Sequence, residues 1–257
     1  MPRTRPTVLS IAGIDPCGGA GLLADIKTFE AHKVYGLGVI SAITWQNESN
    51  FEKVEWLSPN KIISQIALLL EISKVEFVKI GLIENAATLH AIVHYLTEQD
   101  ERIKIIWDPI LGATAGFDFH SSSSLEDWKK ILPKLYLVTP NWQEASWLSG
   151  GKWGVDAALY LAHSCHVFLK GGHNPDKKGY DYLFARRPAA SIPQTQHSFK
   201  PKQKNVAPKH GSGCVLSSSI AAYLAKGYSL HRACLMAKTY TGKFLTSNES
   251  LLGWHKL

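Results

Sequence analysis

The stretch FVKIGL (77–82) is hydrophobic at nearly every position, and IKIIWD (103–108), LYLVTP (135–140) and HVFLKGG (166–172) repeat the pattern. A strand with one face in water alternates apolar and polar residues, whereas a strand covered on both faces does not. These four runs therefore read as strands of a parallel sheet with helices on either side. Working outward, TVLSIAG (7–13) and GLGVISAIT (36–44) read as two further strands. GGAGLLADIKTFEAHK (18–33) reads as a helix between them, and SPNKIISQIALLLEIS (58–73) as a helix opening on Ser58 as N-cap. Alternating strand and helix units mean a doubly wound α/β fold. Beyond it, YDYLFA (180–185) reads as a hairpin strand, followed by a polar, proline-bearing loop to about residue 209. Two helices close the chain. The first stops at Lys226-Gly227, a glycine C-cap, and Ser229 is placed to cap the second. SSSS (121–124) is too short for a linker and no repeat is visible, so residues 1–257 read as one domain.

Composition narrows the function classes. No apolar run reaches the length of a membrane span, and VLSIAG near the N-terminus reads as a strand rather than a signal peptide. The four cysteines form no Cys-x-x-Cys pair, which fits a reducing compartment, and a cytoplasmic protein is expected. HSCH (163–166) has no second cluster at zinc-site spacing. A net charge of +7 admits an anionic partner, with lysines densest in FKPKQKNVAPK (199–209). No helix-turn-helix, finger or aromatic RNA-binding signature accompanies that charge, so neither nucleic acid nor membrane is expected as a partner.

Ligand chemistry in a doubly wound sheet collects at the carboxyl ends of the strands. There the chain places GIDPCGGAG (13–21), TWQNES (44–49), KIGL (79–82), DPILGATAG (108–116), TPNWQE (139–144), KGGH (170–173) and HGSGC (210–214). Gly211, Ser212 and Gly213 form either a plain turn or an anion cradle, since the free N–H groups of a helix start bind phosphate. Cys214 would lie in the first helical turn, where the dipole favours thiolate. In GIDPCGGAG the P-loop pattern fails, because Gly19-Ala20 stand where Lys and Ser/Thr are needed. The dinucleotide fingerprint fails too, since its glycines begin after the strand has ended. What remains is a loop that lets backbone approach a ligand, with Asp15 and Asp25 nearby as acceptors. Asn141 and Glu144 are either a helix capping box or, with Asp108, ligands directed at magnesium on a nucleotide. Lys170 either reaches solvent or faces a transferring phosphoryl group. An anion cradle, carboxylates, a cation and a thiol are the parts that phosphoryl transfer needs.

In order along the chain, AGIDPCGGAG, WQNES, KIGL, DPIL, TPNWQE, KGGH and HGSGC resemble the landmarks of the hydroxymethylpyrimidine/phosphomethylpyrimidine kinases of thiamine synthesis, in the ribokinase-like superfamily. The resemblance runs from about Val8 to Phe244, and the pairing of KGGH with HGSGC makes it specific. It implies a three-layer α/β/α sandwich with a mostly parallel central sheet. It implies ATP and Mg2+ as cofactors, and phosphorylation of 4-amino-5-hydroxymethyl-2-methylpyrimidine and then of its monophosphate. On this resemblance Cys214 serves the acceptor alcohol, and Gly211, Ser212, Gly213 and Lys170 stabilise the transferring group; His210, close by in sequence, is an alternative base but reads first as a turn residue. Gln46 reads the pyrimidine in a pocket with Gly13, Asp15, Ala20, Asp25, Leu82 and Ile110. Asp108, Asn141 and Glu144 attend the metal and nucleotide, together with Lys170 and Gly172. A homodimer is the expected assembly. Ile14 and Cys17 replace the family's usual small hydroxyl residues, Ser212 a threonine and Leu82 a frequent methionine, while GATAGFDFH (112–120) matches poorly. Two alternatives remain: a pyridoxal kinase of the same fold, and a pyrimidine-binding protein without turnover.

Overall fold

The computed structural model describes residues 5–111, 124–186, 196–203 and 206–256. GATAGFDFH (112–120), the first three residues of the serine run and parts of the loop before residue 209 lie outside the described residues. In chain order the elements are β1 (Thr7–Ile14), α1 (Gly21–Ala31), β2 (Tyr35–Gln46), β3 (Phe51–Trp56), α2 (Pro59–Ile72), β4 (Phe77–Ile80) and α3 (Ala86–Gln99). Then come β5 (Lys104–Trp107), α4 (Leu125–Lys129), β6 (Leu137–Val138), α5 (Trp142–Leu148), α6 (Gly154–Leu161) and β7 (His166–Leu169). The described chain ends with β8 (Asp181–Phe184), β9 (Gln196–Phe199), α7 (Ser212–Ala225) and α8 (Leu230–Leu245). One nine-stranded sheet has the order β3-β2-β1-β4-β5-β6-β7-β8-β9. The six strands from β2 to β7 in that order run parallel, β3 and β8 run opposite to them, and β9, antiparallel to β8, closes the far edge in the direction of the six.

The near-continuous apolar runs are explained by two cores. Leu9, Ile11, Val78, Ile80, Ile105 and Trp107 point into a core shared with α2 to α6, where Trp107 stacks on Trp128 at 5.3 Å. The intervening Val8, Phe77 and Ile106 point to the opposite side, against α1, α7 and α8. Each such side chain contributes roughly 1.5–3 kcal/mol on full burial. The expected three-layer α/β/α sandwich is thus observed. Ser10 and Lys79, cross-strand partners in β1 and β4, alternate onto the α1/α7 side and put polar groups into that core.

Two local expectations need correction. The second strand runs on through Trp45 and Gln46 and turns into a hairpin with β3, where the sequence pattern predicts loop. Ser58 and Ser229 stand at helix N-caps, but neither side chain makes the capping hydrogen bond; Pro59 follows Ser58 at the first helical position. The expected end of α7 is observed: Lys226 is the C-cap and Gly227 adopts φ 84°.

Because β1 is followed by β2 on one side and neighbours β4 on the other, the strand order reverses at β1/β4. The crevice beyond the carboxyl ends of those strands is where this architecture binds ligands.

Candidate active site

Two glycine loops meet over that crevice. After β1, the Asp15 carboxylate organises its own loop: Oδ1 accepts from Cys17 N at 3.0 Å, and Oδ2 from Ala20 N at 2.8 Å and the Cys17 thiol at 3.2 Å. His210 Nε2 lies 2.9 Å from the same Oδ2. A carboxylate only accepts, so Nε2 carries the proton. Burial alone would raise the Asp15 pKa, but the hydrogen bonds from His210, Cys17 and Ala20 outweigh it and hold it below the usual value. The turn before α7 closes on this loop. Gly211 has φ 73°, and a Cβ there would collide with Gly19 O and lie 2.7 Å from Ala20 Cα. Both the conformation and the approach require glycine.

Gly211 is the N-cap of α7 and brings no side-chain acceptor; the Ser212 amide donates to Lys209 O at 3.4 Å, and the amides that follow it have no side-chain cap. Cys214, in that first turn, is 6% exposed. Its thiol is pushed up to about 11 by burial and by the charges of Asp25 and Asp108, against the pull of Lys79 and a hydrogen bond from the Gly21 backbone. Desolvation outweighs the helix dipole, so the thiol lies above its usual value and the neutral form prevails.

Beneath the same turn lie the expected cation and carboxylates. Lys170 Nζ donates to Asp108 Oδ1 at 2.7 Å and stands 3.4 Å from Glu144 Oε2. A Cβ on Gly213 would be 3.5 Å from Lys170 Nζ and 3.9 Å from Asp108 Oδ2. Asp108 also accepts from Thr139 Oγ1 and Ser217 Oγ, both at 3.0 Å. Burial disfavours the Lys170 charge, but Asp108 and Glu144 more than offset it and hold the lysine above its usual value. Glu144 is pushed up to about 7, by burial first and by Asp108, with Lys170 opposing. The capping box exists: Asn141 Oδ1 accepts from Glu144 N at 2.9 Å, and Asn141 N donates to Glu144 Oε2 at 2.6 Å. It holds Glu144 facing Lys170, and a single parallel bridge joins Asn141 to Lys170. The next glycine is clamped, with Gly171 N donating to Asp181 Oδ1 at 2.6 Å and Lys238 to Asp181 Oδ2 at 2.6 Å. Gly172 stands in open space.

At the β1/β2/β4 end, Ala42 and Leu82 form a small apolar cluster with Phe51, Val54, Trp56 and Ile110. A Cβ on Gly13 would sit 3.0 Å from Leu82. Gln46 closes β2 beside this cluster, its amide donating to Thr44 Oγ1 at 2.9 Å. Asp25, expected as a ligand acceptor, has its oxygens engaged inside the fold. It is 0% exposed, and its oxygens accept from Ser10 at 2.6 Å, Lys79 at 2.7 Å and Ser218 at 2.5 Å.

Sequence reasoning missed Ser10, Lys79, Asp181, Lys238 and the serines of α7. Those serines carried a signal: three successive hydroxyls in an apolar helix, each with its own buried partner. Ser217 reaches Asp108, Ser218 reaches Asp25, and Ser219 pairs with His32 Nε2 at 2.8 Å.

A parallel sheet with a helix start lacking a side-chain cap, set over a lysine–carboxylate cluster, with a small apolar cluster at the β1/β2/β4 end, defines a phosphotransferase of the ribokinase-like class. The family described as phosphomethylpyrimidine kinase matches residues 15–256. A hydroxymethylpyrimidine/phosphomethylpyrimidine kinase from Rhizobium meliloti is 34% identical over 257 residues, covering 95% of this chain and 91% of that protein. The crystal structure of a phosphomethylpyrimidine kinase from Clostridium difficile superposes with a TM-score of 0.77 at 30% identity, covering 93% of this chain and 99% of the other. The Staphylococcus aureus pyridoxal kinase in complex with AMP-PCP and pyridoxal gives 0.78 at 27% identity, over 95% of this chain and 89% of the other. The chain belongs to the phosphomethylpyrimidine kinase family and is an ATP-dependent phosphotransferase. Among the described residues, no helix is long and apolar enough to cross a membrane.

Proposed function

We propose that this chain phosphorylates 4-amino-5-hydroxymethyl-2-methylpyrimidine and then its monophosphate, yielding the diphosphate used in thiamine biosynthesis. The observation that carries this reading is the placing of Lys170 and Asp108 directly under Gly213, in the same turn as Cys214. Gly211, Ser212 and Gly213 direct amides at the transferring phosphoryl group, and Lys170 sets a cation beneath it. Cys214, a neutral thiol at rest, holds the acceptor alcohol in line. As the new oxygen–phosphorus bond forms and the bond to ADP breaks, the alcohol proton passes to the Cys214 sulfur while the thiol gives its own proton to solvent, so the group ends as the thiol it began. Gln46 offers a donor and an acceptor to the aminopyrimidine edge, over the floor of Ala42 and Leu82.

The residues present fit a magnesium ion on the nucleotide. Asp108 and Glu144 are hard oxygen donors, and a carboxyl poised at about 7 is one that added positive charge would hold ionised. When bound, magnesium neutralises phosphate charge. Here Glu144 and Asp108 would hold it, with Asn141 locking the orientation of Glu144. The four cysteines, all free, fit the reducing cytoplasm. A homodimer remains our expected assembly, which sedimentation measures.

The test is product analysis with excess ATP and magnesium. The pyrimidine alcohol should proceed to the diphosphate; accumulation of monophosphate alone would remove the second step. Pyridoxal is the competing substrate, because both kinds of kinase share the fold to similar TM-scores. Gln46→Leu leaves polar ring atoms unpaired and should weaken pyrimidine use by about 1–3 kcal/mol, with ATP affinity little changed. Better turnover of pyridoxal, with Gln46→Leu unaltered on the pyrimidine, would replace this reading by the pyridoxal one.

A further inference from the structure

Asp15, Cys17 and His210 each present one potential ligand atom, and these atoms all lie within 4.8 Å of one another. The protons of the Cys17 thiol and of His210 Nε2 converge on one atom, Asp15 Oδ2, at 3.2 and 2.9 Å. A single cation in place of those two hydrogens would meet sulfur, nitrogen and oxygen together, on a carboxylate already ionised and 1% exposed. We propose that these three residues form a site for a thiophilic divalent cation, zinc above all, distinct from the magnesium position.

The donor chemistry separates the two. Thiolate and imidazole suit zinc and cobalt, while magnesium takes hard oxygens. Three protein ligands of mixed N, S and O type with one open position are an ordinary zinc arrangement. Binding forms the sulfur–metal and nitrogen–metal bonds, releases the thiol proton to solvent, and moves the imidazole proton to Nδ1. Cys17 is the accessible cysteine; Cys165, Cys214 and Cys234 are buried. The site also straddles a joint, since Asp15 and Cys17 belong to the loop after β1, while His210 adjoins Gly211. A cation here cross-links the two loops that frame the transferring phosphoryl group and fixes the turn carrying Cys214. It acts as an inhibitor of the proposed kinase reaction, although the site itself does not depend on which alcohol is phosphorylated.

The experiment titrates the whole chain with cobalt as the spectroscopic stand-in for zinc. One equivalent should produce a thiolate-to-cobalt charge-transfer band, bleached by zinc, and turnover should fall as the band saturates and return with a chelator. Cys17→Ser should abolish the band and Cys214→Ala should keep it. His210→Gln, a second variant that retains the thiol, should weaken cobalt affinity at least about tenfold, the loss that even an outer-sphere partner of a metal site causes. No band, a band that survives Cys17→Ser, one that vanishes with Cys214→Ala, or unchanged affinity in His210→Gln would overturn the proposal.

Discussion

Helix α7 touches two carboxylate–lysine pairs, and they share almost every component. Ser218 reaches Asp25, which binds Lys79 at 2.7 Å; Ser217 reaches Asp108, which binds Lys170 at 2.7 Å. The first pair is closed, with both side chains 0% exposed and every contact internal. The second opens toward the first turn of α7: Lys170 keeps 13% of its side-chain surface exposed and has Glu144 as a second carboxylate. Identical chemistry therefore serves two ends. Sealed, it fastens α1 and β4 to α7 beneath the site; open, it leaves a cation and carboxylates for a nucleotide.

Substitution should separate these roles. The largest stability effect belongs to the sealed pair. Lys79→Met strands a buried Asp25 charge and should cost about 3–5 kcal/mol in denaturant unfolding, much of it recovered in the Lys79→Met/Asp25→Leu double variant. A loss of activity without loss of stability would break the comparison by making Lys79 part of the chemistry. The open pair should behave in reverse. Lys170→Met should lower kcat about 10²–10³-fold, in line with removing one donor to a developing charge, with a stability loss smaller than that of Lys79→Met because Lys170 is not sealed from solvent. A smaller effect sharpens the contrast further. In its proposed role toward magnesium Glu144 must be ionised, and burial pushes it up to about 7. Its ionised fraction falls as pH drops through that value, so kcat/KM for ATP should decline on the acid side of neutrality. Glu144→Gln should abolish that limb, and a limb that persists in the variant would belong to another group.

How much of this was legible in the sequence depends on the range of the cause. The parallel core was readable because burial on both faces leaves unbroken apolar runs such as those ending at Ile80 and Trp107. The site loops were readable because glycines, Asp108 and Lys170 stand at strand ends. The hairpin was not, since β3 is an edge strand whose residues are mostly exposed or half-buried, with no apolar run to mark it. The sealed pairing of Asp25 was not legible for a different reason. Its partner lies 54 residues away, and only the β1/β4 register brings Ser10 beside Lys79. Cys214 shows a conflict of two legible effects, in which the magnitude of burial decides against the helix dipole.

Cys214 carries the central step of the proposed reaction. Steady-state kinetics of Cys214→Ala and His210→Ala with the pyrimidine alcohol test it, because His210 is the other proton-bearing group at the turn, 2.9 Å from Asp15. Positioned acid–base help is worth about 10²–10⁴-fold, so Cys214→Ala should lose kcat in that range with the apparent ATP affinity little changed, and His210→Ala should lose less. A crippled His210→Ala beside a fully active Cys214→Ala would contradict the assignment and move the acceptor's partner to the His210–Asp15 pair.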